Sequence, residues 1–149
     1  MLHVLLDTNV LVDFLLRRPR FYEDARNIIT LSTAADYALW MGVSQVTDIF
    51  YLATQGRIPN AALVKQELAE LRKHVHVVPL GEGDVDAMLA SPWPDFEDAL
   101  VWRAADLLRA DAIITRDKGF PTSPIPTMEP SEFFDWLERV HGISYKGLI

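Results

Sequence analysis

The stretch that most constrains this chain is Val4-Leu5-Leu6, closed at once by Asp7, Thr8 and Asn9 and followed by apolar residues at helical spacing. A short unbroken apolar run of this kind fits a strand covered on both faces, the interior position of a parallel sheet flanked by helices. Asp7 then stands at the carboxyl end of that strand. In open α/β sheets this rim is where ligands bind. A carboxylate here serves equally as the cap of the helix that follows. The two readings separate on whether other carboxylates reach the same rim.

The rest of the chain repeats the alternation. A first helix is expected from Asn9 to Arg17, broken by Arg17-Arg18-Pro19-Arg20, because Pro19 cannot continue the ladder. These arginines read either as favourable charge at a helix end or as a contact for an RNA backbone. A second helix is expected over Phe21–Thr33 and a second strand over Asp36–Met41. Ser44 is the expected cap of a helix over Gln45–Gln55, with Val46, Ile49, Phe50 and Ala53 inward and Asp48 at the border of that face. After a break at Gly56-Arg-Ile-Pro59, Asn60 caps a helix to about Lys73, and a third strand runs His74–Val78. His74 and His76 share a face of that strand, and with no third ligand nearby they read as sheet-edge histidines rather than a metal pair. A short helix over Asp84–Ala90 precedes a longer one opened by Asp95-Phe-Glu-Asp98 and running to Arg109. The fourth strand, Ala112–Thr115, ends in Arg116 and Asp117, the design of the first strand again. A Pro-rich loop leads to a final helix from Pro130 with Phe133, Leu137 and Val140 inward, and residues 142–149 read as a loosely tied tail. Helices alternating with strands imply an α/β sandwich with a mostly parallel sheet.

Bulk properties narrow the class. At 149 residues the chain fits one domain with a real core. No segment is apolar for long enough to span a membrane, and no secretory leader pattern is present, so a cytoplasmic protein is expected. Without cysteine there is no disulfide and no thiolate metal site, and any metal must be held by oxygen or imidazole. The net charge of −7 works against unaided nucleic-acid binding, but it suits a pocket of carboxylates that holds cations.

Asp7 and Asp117 close two strands, while Asp98 and Asp48 lie near the starts of helices, which in such folds begin at the rim where strands end. Two unit charges about 4 Å apart repel by about 4 kcal/mol at an effective dielectric near 20, so carboxylates gathered there call for a counter-cation. Hard oxygen donors suit Mg²⁺ or Mn²⁺, and such ions serve phosphoryl chemistry. Asp95 is the expected N-cap of its helix, with Asp98 closing a box-like arrangement, and it is a further candidate ligand.

Together these residues resemble a known family. Leu-Leu-Asp7-Thr-Asn9, Asp98-Ala-Leu, Ile-Thr115-Arg-Asp117 with Phe120, and the closing Pro130-Ser-Glu-Phe-Phe are similar in order and spacing to the PIN-domain nucleases, particularly VapC-type toxins of toxin–antitoxin pairs. The resemblance implies a Rossmann-like α/β/α fold, Mg²⁺ or Mn²⁺ as cofactor, and endonucleolytic cleavage of RNA. It implies that Asp7, Asp98 and Asp117 bind metal while Asn9 and Thr115 orient the carboxylates and water. A homodimer and an antitoxin partner are implied as well. Two positions depart from the family pattern: Asp48 stands where a Glu is usual, and Gly119 replaces a second Asp before the Phe.

Three other readings compete. A dehalogenase-type phosphatase needs a second Asp two residues after the first, and Asn9 stands there. A phosphoryl-accepting receiver needs an acidic pair ahead of Asp7, which is lacking although Lys118 is available. A catalytically weakened module that binds RNA or a partner remains the alternative.

Overall fold

The computed structural model describes residues 1–56, 58 and 60–149. Five strands form one sheet: β1 (Leu2–Leu6), β2 (Tyr37–Gly42), β3 (Val75–Val78), β4 (Ala112–Ile114) and β5 (Thr127–Met128). Their order across the sheet is β3-β2-β1-β4-β5, and every neighbouring pair is parallel. The expected α/β/α sandwich is therefore what forms.

Alternation along β1 builds the two cores. Val4 and Leu6 point to one face, where they meet helix α1 (Thr8–Leu15) and helix α2 (Tyr22–Leu31) through Val10, Leu11 and Ile28. Leu5 points to the other face, toward Val101, Ala104 and Ala105 of the helix that precedes β4. All three β1 residues are fully buried. Such a strand needs an apolar side chain at every position, which is why it reads as an unbroken run.

Between β2 and β3 lie helices α3 (Val43–Gln55) and α4 (Ala61–Leu71), and between β3 and β4 lie α5 (Glu82–Leu89) and α6 (Phe96–Leu108). The expected break at Gly56–Pro59 falls partly on Arg57 and Pro59, outside the described residues. β5 is a strand where only a Pro-rich loop was expected. Two residues flanked by Pro126 and Pro130 carry no periodicity, and the strand exists because the Ile113 and Thr115 amides donate to the Pro126 and Met128 carbonyls.

Three expectations are corrected. Helix α3 begins at Val43 after Gly42, so Ser44 lies inside its first turn; the Gly42 amide donates instead to Gln45 Oε1 at 2.7 Å. Val140 is 53% exposed rather than inward, because the short final helix α7 (Phe133–Trp136) widens into a π-type stretch over Leu137–His141, which rotates the following side chains off the inner face. The last residues are anchored rather than loose. Tyr145 is only 5% exposed, packs edge-on against Tyr37 and Phe134, and donates its hydroxyl to Asp36 Oδ2 at 2.7 Å. Tyr145→Ala should cost about 3 kcal/mol, the usual scale for emptying an aromatic site, and lower Tm by roughly 6–12 °C; a melt unchanged within a degree would mean that this anchor is idle.

Candidate active site

The strand order reverses direction at β1, so the crevice between the carboxyl ends of β1 and β4 is the topological switch point of the sheet. Asp7 leaves β1 there, and Thr115, Arg116 and Asp117 leave β4. The two readings of Asp7 coincide: it is the N-cap of α1, its Oδ1 accepting from the Thr8 amide at 2.7 Å, and it faces the rim. Its Oδ2 accepts from the Thr115 hydroxyl at 2.7 Å.

Thr115 is 3% exposed and holds the two strand ends in register. Its single donor goes to Asp7, while its oxygen accepts from the Asp117 amide at 3.0 Å and more loosely from Asn9 Nδ2 at 3.4 Å. Asn9 spans the same gap. Its amide nitrogen lies 3.5 Å from Asp7 Oδ2, and its carbonyl accepts from the Arg116 amide at 3.2 Å. Asp117 turns its own loop by accepting from the Gly119 amide through Oδ1 at 2.8 Å. Gly119 is thus a turn residue at the position where the family pattern has an acid.

Asp95 caps α6, accepting from the Asp98 amide at 3.0 Å, as its spacing from Asp98 implied. The first turn of α6 brings Glu97 and Asp98 to the crevice. The carboxylates also act on one another. Asp98 is pushed up to about 6, first by burial and then by Asp95, Asp7, Asp117 and Glu97. Asp7 is also raised: burial is the main cause, the Thr115 hydroxyl and Thr8 amide pull it back, and Asp117 and Asp95 push it up again. Glu97 is raised by burial, then by Asp48, Asp7 and Asp95. Residues as distant in sequence as Asp7, Asp98 and Asp117 therefore share one local field. Asp48 stands at its margin, acting on Glu97 and not on Asp7 or Asp98. Glu97 lies closer to the centre of charge than Asp48, since it acts on Asp98 and feels Asp7 and Asp95.

Among the described residues no three acidic or histidine side chains are already closed around a common metal position. The donor set still suits a small hard cation. Mg²⁺ keeps several waters and takes one or two carboxylates, so a loose oxygen-only crevice matches it better than a closed cage would. Asp7 Oδ1 accepts a single bond from the protein, from the Thr8 amide, while Oδ2 accepts from the Thr115 hydroxyl and, at the longer distance of 3.5 Å, from Asn9 Nδ2. His74 and His76 take no part, since His76 stacks on Trp40, ring centroids 4.8 Å apart, at the sheet edge.

Crowded carboxylates cost stability, and the sign follows from the raised values. Between the ordinary carboxylate value and about 6, the folded chain holds the Asp98 proton more tightly than the unfolded chain, so stability falls as pH rises through that window. Asp84, lowered by the Gly81 amide and Arg103, titrates below it. Metal-free protein should therefore melt at a lower temperature at pH 7 than at pH 5, and Mn²⁺ at pH 7 should recover the difference. Asp98→Asn should shrink it. An equal melt at both pH values would contradict the crowding.

Two residues that hold this site together escaped the sequence reading. Gln45 is fully buried, its Nε2 donating to the Leu6 carbonyl at 2.8 Å and to Thr8 Oγ1 at 3.3 Å, which ties α3 to the end of β1. The wrong cap at Ser44 hid it by placing Gln45 at the helix start. Asp13, fully buried on α1, accepts from Arg116 through both carboxylate oxygens and from Arg18 Nη1 at 3.3 Å. An acid flanked by Val12 and Phe14 in an apolar helix was the available signal.

A family model described as a PIN domain matches residues 3–119. The chain belongs to the PIN-domain family. Solved structures with the same fold include VapBC2 from Rickettsia felis bound to a promoter DNA fragment, at a TM-score of 0.63 and 15% identity over 86% of this chain and 98% of that one. A toxin–antitoxin complex from Klebsiella pneumoniae matches at 0.59 and 16% identity over 85% and 97% of the two chains. FitAB bound to a DNA fragment matches at 0.59 and 22% over 85% and 94%. No curated protein sequence matches the chain. This PIN domain has, among the described residues, no helix long and apolar enough to cross a membrane.

Proposed function

We propose that this PIN domain is an endoribonuclease dependent on Mg²⁺ or Mn²⁺ and the toxin of a toxin–antitoxin pair. The observation that carries the reading is the shared field of Asp7, Asp98 and Asp117 at the switch point of the sheet. In this reading those three carboxylates hold the cation, Asp95 adds to the acidic rim from its cap position, and Asp48 reaches the site through Glu97 or water. A bound divalent cation supplies Lewis acidity and neutralises charge on the phosphodiester. The chain's own contribution is positional. Thr115 and Asn9 fix the rotamer of Asp7, and the Asp117 turn fixes the second acid across the gap. Asp98, with its raised proton affinity, takes up or gives a proton near neutral pH when no cation covers it.

Antitoxin recognition is supported by the neighbours, one of which is a toxin–antitoxin complex and another VapBC2. Helix α3 buries Ile49 and Ala53 but leaves Tyr51 63% and Leu52 42% exposed, an apolar strip suited to an antitoxin or to a second copy in a homodimer. The alternative, a PIN-like module that binds RNA or a partner without cutting, is favoured by one observation, the marginal position of Asp48.

A circular single-stranded RNA, which offers no ends, separates these readings. With Mn²⁺ the endonuclease should linearise it and then fragment it, and EDTA should stop the reaction. Turnover of small phosphate esters with the circle left intact would contradict the proposal, and binding of RNA without cleavage would establish the alternative.

A further inference from the structure

The basic cluster seen in the sequence is split by the fold. Arg18 turns inward to Asp13, whereas Arg20 lies over the ring of Phe21, its guanidinium carbon 5.5 Å from the centroid. Arg116, from the end of β4, stacks on the same ring at 3.9 Å while its Nε and one Nη bind Asp13. A cleft of about 400 Å³ opens here, lined by Arg20, Phe21, Asp24, Arg116, Lys118 and Glu129. A second cleft of about 620 Å³ shares Lys118 and Glu129 with it and runs to Thr115 and Asp117. Lys118 and Glu129 line both clefts, and of the three central carboxylates it is Asp117 that borders the second one.

The cations of the first cleft are available. Among the described residues Arg20 has no ion pair, and Lys118, 89% exposed, has Glu129 as its nearest carboxylate at 3.9 Å, a contact that solvent screens. Arg116 binds Asp13 through Nε and Nη2, and among the described residues its Nη1 has no hydrogen-bond partner. Arg20 adopts a left-handed backbone at φ 81°, a conformation that costs a non-glycine residue on the order of 1–3 kcal/mol. Its side chain lines the cleft over the Phe21 ring. Phe21 lies within cation–π range of both guanidinium groups and so orients their charge.

We propose that this cleft binds the sugar-phosphate backbone of the single-stranded RNA next to the scissile position, with Arg20 and Lys118 contacting phosphates and Arg116 forming the fixed wall. This rests on the nuclease reading for the identity of the strand and adds where it runs. Recognition is by charge alone, so it is blind to base identity and sensitive to salt. Lys118 exchanges Glu129 for a phosphate as the strand enters.

The test uses the full-length chain carrying Asp98→Asn, in EDTA, with a short 5′-labelled oligouridylate followed by fluorescence anisotropy across a salt series. Adding Arg20→Gln and Lys118→Gln together should weaken binding on the order of tenfold at low salt. The slope of log affinity against log salt should fall by about 1.4, since each single-strand phosphate contact contributes about 0.7. The charge-keeping pair Arg20→Lys and Lys118→Arg should restore both. In chains with Asp98 intact, the Gln pair should raise KM for Mn²⁺-dependent cleavage more than it lowers kcat. An unchanged affinity and slope in the Gln pair would overturn the cleft while leaving cleavage standing. Oligoglutamate of equal charge displacing the RNA with equal affinity would assign the cleft to an acidic polypeptide and overturn it too. Charge-dependent binding in a chain that never cleaves would uphold the cleft and sink only the nuclease reading.

Discussion

Asp7→Asn should reduce Mn²⁺-dependent RNA cleavage by at least 10²–10³-fold, the scale of removing one preorganised electrostatic group from a reaction centre, while leaving the fold as stable as before or more so. The asymmetry follows from what each Asp7 oxygen does. An Asn oxygen still accepts from the Thr8 amide and caps α1, so the helix start survives. On the other side, the Thr115 hydroxyl loses a charged acceptor, but one of the mutually repelling carboxylates is also removed. Function and stability then move in different directions, which a general structural defect would not produce. Asp98→Asn should behave alike. Cleavage by either variant at the parental rate, with purified protein and EDTA controls, would show that the reaction belongs elsewhere in the molecule or to a contaminant.

Asp13→Ala should do the opposite, acting on stability first. Asp13 is a fully buried carboxylate between Arg116 and Arg18, and removing it strands the Arg116 guanidinium, only a quarter exposed, without its partner. Breaking a buried pair in this way costs about 3–5 kcal/mol, which for a domain of this size lowers Tm by roughly 6–20 °C. Activity at low temperature should fall as well, because the Arg116 amide is the donor to Asn9 and Arg116 lies between Thr115 and Asp117. Asp13→Asn keeps the volume and one acceptor, so it should recover part of the loss. A melt within about 2 °C of the parent for Asp13→Ala would show that the pair is a surface ornament with no hold on the end of β4.

What the sequence made legible follows from the physics of each element. β1 and β4 were readable because a buried strand must be apolar at every position, and their closing acids stood out because each ends such a run at the rim where helices begin. The α6 cap was readable from the three-residue spacing of Asp95 and Asp98. β5 was not, since two residues between prolines owe their strand geometry to β4 and to no pattern of their own. Gln45 was missed through an error of two residues at a helix start, where Ser44 is a better capping residue by type than Gly42 but the buried acceptor of Gln45 serves the Gly42 amide. Val140 was misplaced because a widened turn leaves no trace in residue spacing. The Asp13–Arg116 pair lies 103 positions apart in the chain and becomes visible only when α1 and the end of β4 meet.

The most direct measurement is a calorimetric titration of Mn²⁺ into metal-free protein at neutral pH, repeated with Asp7→Asn and Asp98→Asn. Saturable binding by the parent that is weakened by at least tenfold in each variant is expected if acids from β1 and α6 grip the same ion. Binding of equal strength in all three proteins, or none in the parent at millimolar Mn²⁺, would contradict it.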